Sequence, residues 1–165
     1  MFNTVSIPQS STNNKATRDA TKAITFKVLD KWFALPIEAV LKIIPCPSLD
    51  APIKDCLGLA EWDRQTITVI DLAQKLDPKT SKNTETKITD TSFLILTQTQ
   101  SAELCGFLTQ NSPVLLDIPF DSIRAIPTSY RQVAELDVID KMSVITTNES
   151  TEALKILLLG SWDRV

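Results

Sequence analysis

Short runs of alternating apolar and polar residues, broken about every 8 to 12 residues by turn-forming sequence, limit this chain's fold more than any other feature. The clearest run is Leu57 to Leu76. Thr66, Thr68 and Ile70 alternate with Ile67 and Val69, a period of two that predicts a strand with one face toward a core. Upstream, Leu57 and Leu59 alternate with small Gly58 and Ala60, so the segment reads as strand, polar turn at Glu61 to Gln65, and strand. Asp71 then changes the pattern. Its carboxylate is placed to cap a short helix in which Leu72 and Leu76 lie one turn apart on the same face. The turn holds Trp62, Asp63 and Arg64 outward.

The same reading along the chain gives roughly ten short strands. Residues 1 to about 22 are rich in Ser, Thr and Asn without apolar periodicity, and a disordered arm is expected there. Ile24, Phe26 and Val28 form a hairpin with Trp32 to Leu35 around Asp30-Lys31. Pro36 to Ala39 allows a helical turn, and Val40 to Ile44 reads as a strand. Pro45, Pro47 and Pro52 enclose a loop that cannot lie in a central strand. Asp77 to Asp90 is a long polar run and reads as a solvated connection between two halves. Phe93 to Thr97 and Leu104 to Leu108 form a second hairpin, whose Gly106 marks a bulge or a close backbone approach. Val114 to Ile118, Ser122 to Ile126, Met142 to Thr146 and Leu154 to Leu159 are further strands, and Tyr130 to Val138 is ambiguous between helix and strand. So many short strands favour an all-β sandwich or barrel.

Composition excludes several chemistries. The chain has no histidine, which removes Ser-His-Asp and Cys-His arrangements and His-ligated metals. Its three glycines, Gly58, Gly106 and Gly160, stand alone and build no phosphate-cradling loop. Asp71 and Asp117 both follow apolar strands, but one caps a helix and the other precedes a proline turn, so no acid-base pair is read from them. Cys46, Cys56 and Cys105 are odd in number, with no Cys-x-x-Cys pair, and read as free thiols. A net charge of −3 without a Lys/Arg run leaves no footprint for nucleic acid or anionic membrane. No stretch approaches the ~18 apolar residues of a membrane span, so no direct membrane insertion is expected and the chain reads as cytoplasmic. The expected protein is not an enzyme and takes no metal and no cofactor. A binding module needs less, because a few aromatic and arginine anchors carry most interface affinity.

The order glycine, a few residues, a charged pair, then β-branched residues ending Val69-Ile70-Asp71-Leu72 resembles the CheW-like family of chemotaxis coupling proteins. Aligned on Gly58 and Asp71, the family's Arg-Gly pair falls on Asp63-Arg64. The family's Val-x-Glu-Ile has its counterpart in Val40-Leu41-Lys42-Ile43, with Lys42 in place of the glutamate. The Val-Asp pair that usually follows the later glycine is replaced by Phe107-Leu108 and Thr109-Gln110.

The resemblance implies two five-stranded SH3-like barrels packed across an apolar seam, the first over about residues 36 to 90 and the second over about 91 to 155, with terminal segments shared. It implies an adaptor joining the cytoplasmic tip of a methyl-accepting chemoreceptor to the regulatory domain of a CheA-type histidine kinase, or a divergent scaffold or competitor in another complex. The residues it points to for partner binding are Arg64, Trp62 and Asp63, with Val40, Lys42 and Ile43 beside them. Trp62-Asp63-Arg64 recurs as Trp162-Asp163-Arg164, either by coincidence or because both halves present an indole and a guanidinium at equivalent places.

Overall fold

Twelve strands form two curled six-stranded sheets in a computed structural model that describes residues 19–77, 88, 91–99, 101–133, 139–146, 152–160 and 162. In chain order they are β1 (Ala20–Val28), β2 (Lys31–Pro36), β3 (Val40–Pro45), β4 (Leu49–Lys54), β5 (Leu57–Trp62) and β6 (Gln65–Ile70). Helix α1 (Leu72–Leu76) separates these from β7 (Phe93–Gln98), β8 (Leu104–Thr109), β9 (Val114–Pro119) and β10 (Ile123–Ala125). Helix α2 (Thr128–Val133) precedes β11 (Lys141–Thr146) and β12 (Ala153–Leu158). The expected arm lies outside the described residues up to residue 18, as does nearly all of the Asp77 to Asp90 run. Strand β1 starts at Ala20, before the alternation of Ile24, Phe26 and Val28 becomes visible.

The first sheet has the order β3-β7-β8-β6-β5-β4 and the second β10-β11-β12-β2-β1-β9. A boundary at residue 90 therefore does not separate them. The β7–β8 hairpin pairs with β3 and β6 in the first sheet, while the β1–β2 hairpin pairs with β9 and β12 in the second. Each half of the chain thus lends its leading hairpin to the sheet of the other. The parallel pairs β6 with β8 and β12 with β2 fasten these loans. Six strands per sheet replace the expected five.

Alternation along the strands sorts apolar side chains into three clusters. Ile44, Ile67, Val69, Leu94, Leu96 and Leu108 fill the first sheet's interior. Ala23, Ala34, Ile118, Ile156, Leu158 and Trp162 fill the second. Between the sheets lies a seam of Phe26, Phe33, Leu35 and Leu157 from the second sheet against Ile95 and Phe107 from the first. Strands with one face inside a sheet and the other on the seam are buried on both, as in Phe33-Ala34-Leu35. Each such fully buried large side chain contributes about 1.5–3 kcal/mol.

Segment 45–52 departs from its reading as a loop. Leu49–Lys54 is a strand, and Pro52 is tolerated because β4 lies at the sheet edge, with register breaks at Leu49/Ala51 and Ala51/Lys54. Gly106 instead marks a close approach, since β8 pairs without a register break to both β6 and β7. A Cβ there would sit 3.2 Å from Leu96 Cδ2 and 3.4 Å from Leu94 Cβ. Gly106→Val should therefore overpack the first sheet and lower stability by about 1–3 kcal/mol, measured by urea unfolding.

Asp71 caps α1 as its position implied, its Oδ1 accepting from the Ala73 amide at 3.0 Å. The helix is also fixed to the β4–β5 turn. Gln74 Oε1 accepts from the Cys56 amide at 3.1 Å, and the Asp71 amide donates to the Cys56 carbonyl at 2.9 Å. Leu72 is buried and Leu76 packs on the seam, which places both on one face.

Candidate functional site

The β5–β6 hairpin closes with Trp62 opposite Gln65, leaving only Asp63 and Arg64 in the turn. Both have left-handed backbones, with φ of 51° and 62°. That is the geometry whose twist matches a two-residue hairpin, and the second position is the one glycine usually takes. Arg64 carries the steric cost of its Cβ there, about 1–2 kcal/mol. Asp63 and Arg64 are exposed at the tip, and no carboxylate among the described residues pairs with Arg64.

Trp62 does not point outward with them. It is half-buried and packs on the first sheet's interior cluster with Leu49, Cys46 and Leu104. Above it stands Lys42, whose Nζ lies 5.3 Å from the ring centroid in a cation–π contact. Lys42 reaches this place through a register break. Val40 pairs with Thr97 and Lys42 with Leu96, so Leu41 is an extra residue and is turned to solvent. Val40 and Ile43 face the other way, against the seam, and are not neighbours of the indole on this surface. Of the six residues singled out from sequence, the structure brings Lys42 and Trp62 into contact beside the Asp63-Arg64 turn, and it sets Val40 and Ile43 apart.

Leu57 and Leu59 add an apolar strip that the sequence reading did not place. Cross-strand register decides which face each residue takes. Gly58 sits opposite Val69 and Ala60 opposite Ile67, so the small residues point inside with the buried pair. Leu57 and Leu59 are left on the outer face, about half exposed, beside exposed Glu61. The signal was available in the pairing of Gly58 and Ala60 with large partners. Of the recurring tripeptide only the two indoles are described, and each packs on the interior cluster of its own sheet. Trp162 is buried in the second sheet's interior, its Nε1 donating to the Leu159 carbonyl at 2.8 Å, while Asp163 and Arg164 lie outside the described residues.

All three cysteines are free, and burial pushes the Cys46 thiol up from 9.0 to about 11. At pH 8 that lowers its thiolate fraction about a hundredfold against an ordinary thiol, and the greater nucleophilicity of a more basic thiolate returns about tenfold. Cys46 should therefore alkylate about tenfold more slowly than a small-molecule thiol, measured by mass spectrometry of the modified peptide. The raised value favours the protonated folded state. Its stabilisation is complete below about pH 9 and is lost as pH rises toward 11. No group of three or more His, Cys, Asp or Glu among the described residues could hold a metal, and no helix among them is long and apolar enough to cross a membrane.

The CheW-like domain family model matches residues 22–141. Among solved structures, the fold is similar to that of the crystal structure of scaffolding protein TtCheW from Thermoanaerobacter tengcongensis, with a TM-score of 0.65 and 14% sequence identity over 86% of this chain and 84% of that one. No curated protein matches the chain.

Proposed function

The chain belongs to the CheW-like family, and on that premise we propose that it is a non-enzymatic adaptor coupling a chemoreceptor to a CheA-type histidine kinase. The observation that supports this most directly is the tip of the β5–β6 hairpin. An exposed arginine in a two-residue turn stands beside a lysine held over an indole, all on paired strands that keep the constellation rigid. Arginine and aromatic anchors on a rigid element are what a protein interface draws its affinity from. The hairpin tip contacts the kinase regulatory domain, and the receptor's cytoplasmic tip takes another face. Signal passes as a shift in kinase population, because each partner binds one arrangement better than the other, and no bond is made or broken. The adaptor works in the cytoplasm and is recruited to membrane receptor arrays by its receptor contact.

Surface capture of a purified CheA-type regulatory domain and of a chemoreceptor cytoplasmic fragment by the full chain tests this reading. Saturable binding of both is expected, without saturable heat on titration with ATP and magnesium. Capture of neither overturns it.

A further inference from the structure

A second surface, on the other sheet, has the features of a docking cleft. The β1–β2 turn and α2 form the sides of a hollow of about 410 Å³, within the range of sites that hold small ligands or side chains. Tyr130, 46% exposed, lines it, and Met142 and Leu157, both part of the seam, lie beneath, while Trp32 borders it with its ring packed on the second sheet's interior cluster. An exposed aromatic ring over an apolar base is the kind of anchor from which protein interfaces draw affinity.

The charge around the cleft is opposite in sign to that of the chain. Lys31 and Lys155 border it, Asp30 is the one acid among its described lining residues, and nearby Lys27 Nζ sits 6.0 Å over the Trp32 ring. No carboxylate among the described residues pairs with any of these three lysines. The whole chain carries −3, so this local cationic excess stands out against the average surface. Apolar floor, an exposed aromatic ring and unpaired cations on the rim together match one kind of occupant.

We propose that this cleft docks a short acidic segment of a protein partner, seating one apolar side chain against Tyr130 over Met142 and Leu157 and its flanking carboxylates against Lys31 and Lys155. The site is separate from the β5–β6 hairpin tip, which lies on the other sheet, and it does not depend on which partner that tip engages.

A library of random short peptides displayed against the full chain is the test, followed by calorimetry of the enriched peptides. Enriched sequences should share a net negative charge around one Leu, Ile, Phe or Trp. Lys155→Glu should weaken their binding by at least about tenfold, and Tyr130→Ser should weaken it comparably, with the folded circular dichroism of both variants unchanged. Enrichment of basic or uncharged peptides, no enrichment, or binding by both variants as tight as by the unmodified chain overturns the proposal. So does Lys155-dependent sedimentation of the chain with vesicles of anionic lipid, which would assign the cations to a membrane surface.

Discussion

Phe26→Ala should cost about 3–5 kcal/mol of folding stability, a large part of the 5–15 kcal/mol that holds a typical domain. Phe26 is 1% exposed and lies on the seam. Its ring stacks on Phe33 of the same sheet at 5.8 Å and meets Phe107 of the other sheet at 6.2 Å. Removing it takes an apolar side chain out of a closed space and deletes an aromatic contact between the two sheets at once. Urea unfolding should show a lower midpoint. A cycle with Phe107→Ala separates the two contributions: a coupling of about 0.5–1.5 kcal/mol is expected for the ring pair beyond lost burial. A coupling near zero would mean that the sheets adhere through general burial and that Phe26 does not bridge them.

Arg64→Ala should weaken kinase-domain binding by at least ~2 kcal/mol, about thirtyfold, while leaving folding within about ±0.5 kcal/mol. Folding is spared because alanine at φ 62° carries the same Cβ strain as the arginine. Arg64→Gly sharpens the test. It should raise stability by about 1 kcal/mol by relieving that strain and still lose the binding, so the two readouts move in opposite directions. The double change Asp63→Arg with Arg64→Gly restores the family order and places glycine where the turn favours it. It should bind at least as well as the unmodified chain. If Arg64→Ala binds normally and Trp62→Ala does not, the indole is the anchor. If neither matters, the hairpin tip is not the kinase contact.

Local pattern explains how far the fold could be read from sequence. Ile67 and Val69 between polar neighbours marked β6, and Asp71 marked the start of α1, because strand period and helix caps are written within a few residues. Strand β4 was hidden by Pro52, since an edge strand tolerates a missing amide and looks like a loop. The exchange of hairpins was not legible at all. The hairpin pairing of Ile24 with Leu35 was local, but nothing near Ile24 says that its other neighbour is Leu115. The site shows the same limit. Arg64 in a turn and Lys42 outside the core were readable, but the extra residue at Leu41 broke the period of β3, so contact between Lys42 and Trp62 depended on a register that spacing does not encode. Val40 and Ile43 matched a family pattern, and the seam claims both.

The exchanged hairpins also impose an order on the folding of a nascent chain. Every strand of the first sheet has been synthesised by Thr109, so that sheet can close while the ribosome is still working. The β1–β2 hairpin has to wait, because Trp32 and Phe33 pair with Ile156 and Leu157, which are made long after the first sheet's last strand. At ordinary elongation rates the delay is on the order of ten seconds, during which Phe26 and Phe33 lack the strands that complete their sheet. A newly made chain therefore spends that interval with an apolar, aromatic hairpin as a target for chaperones.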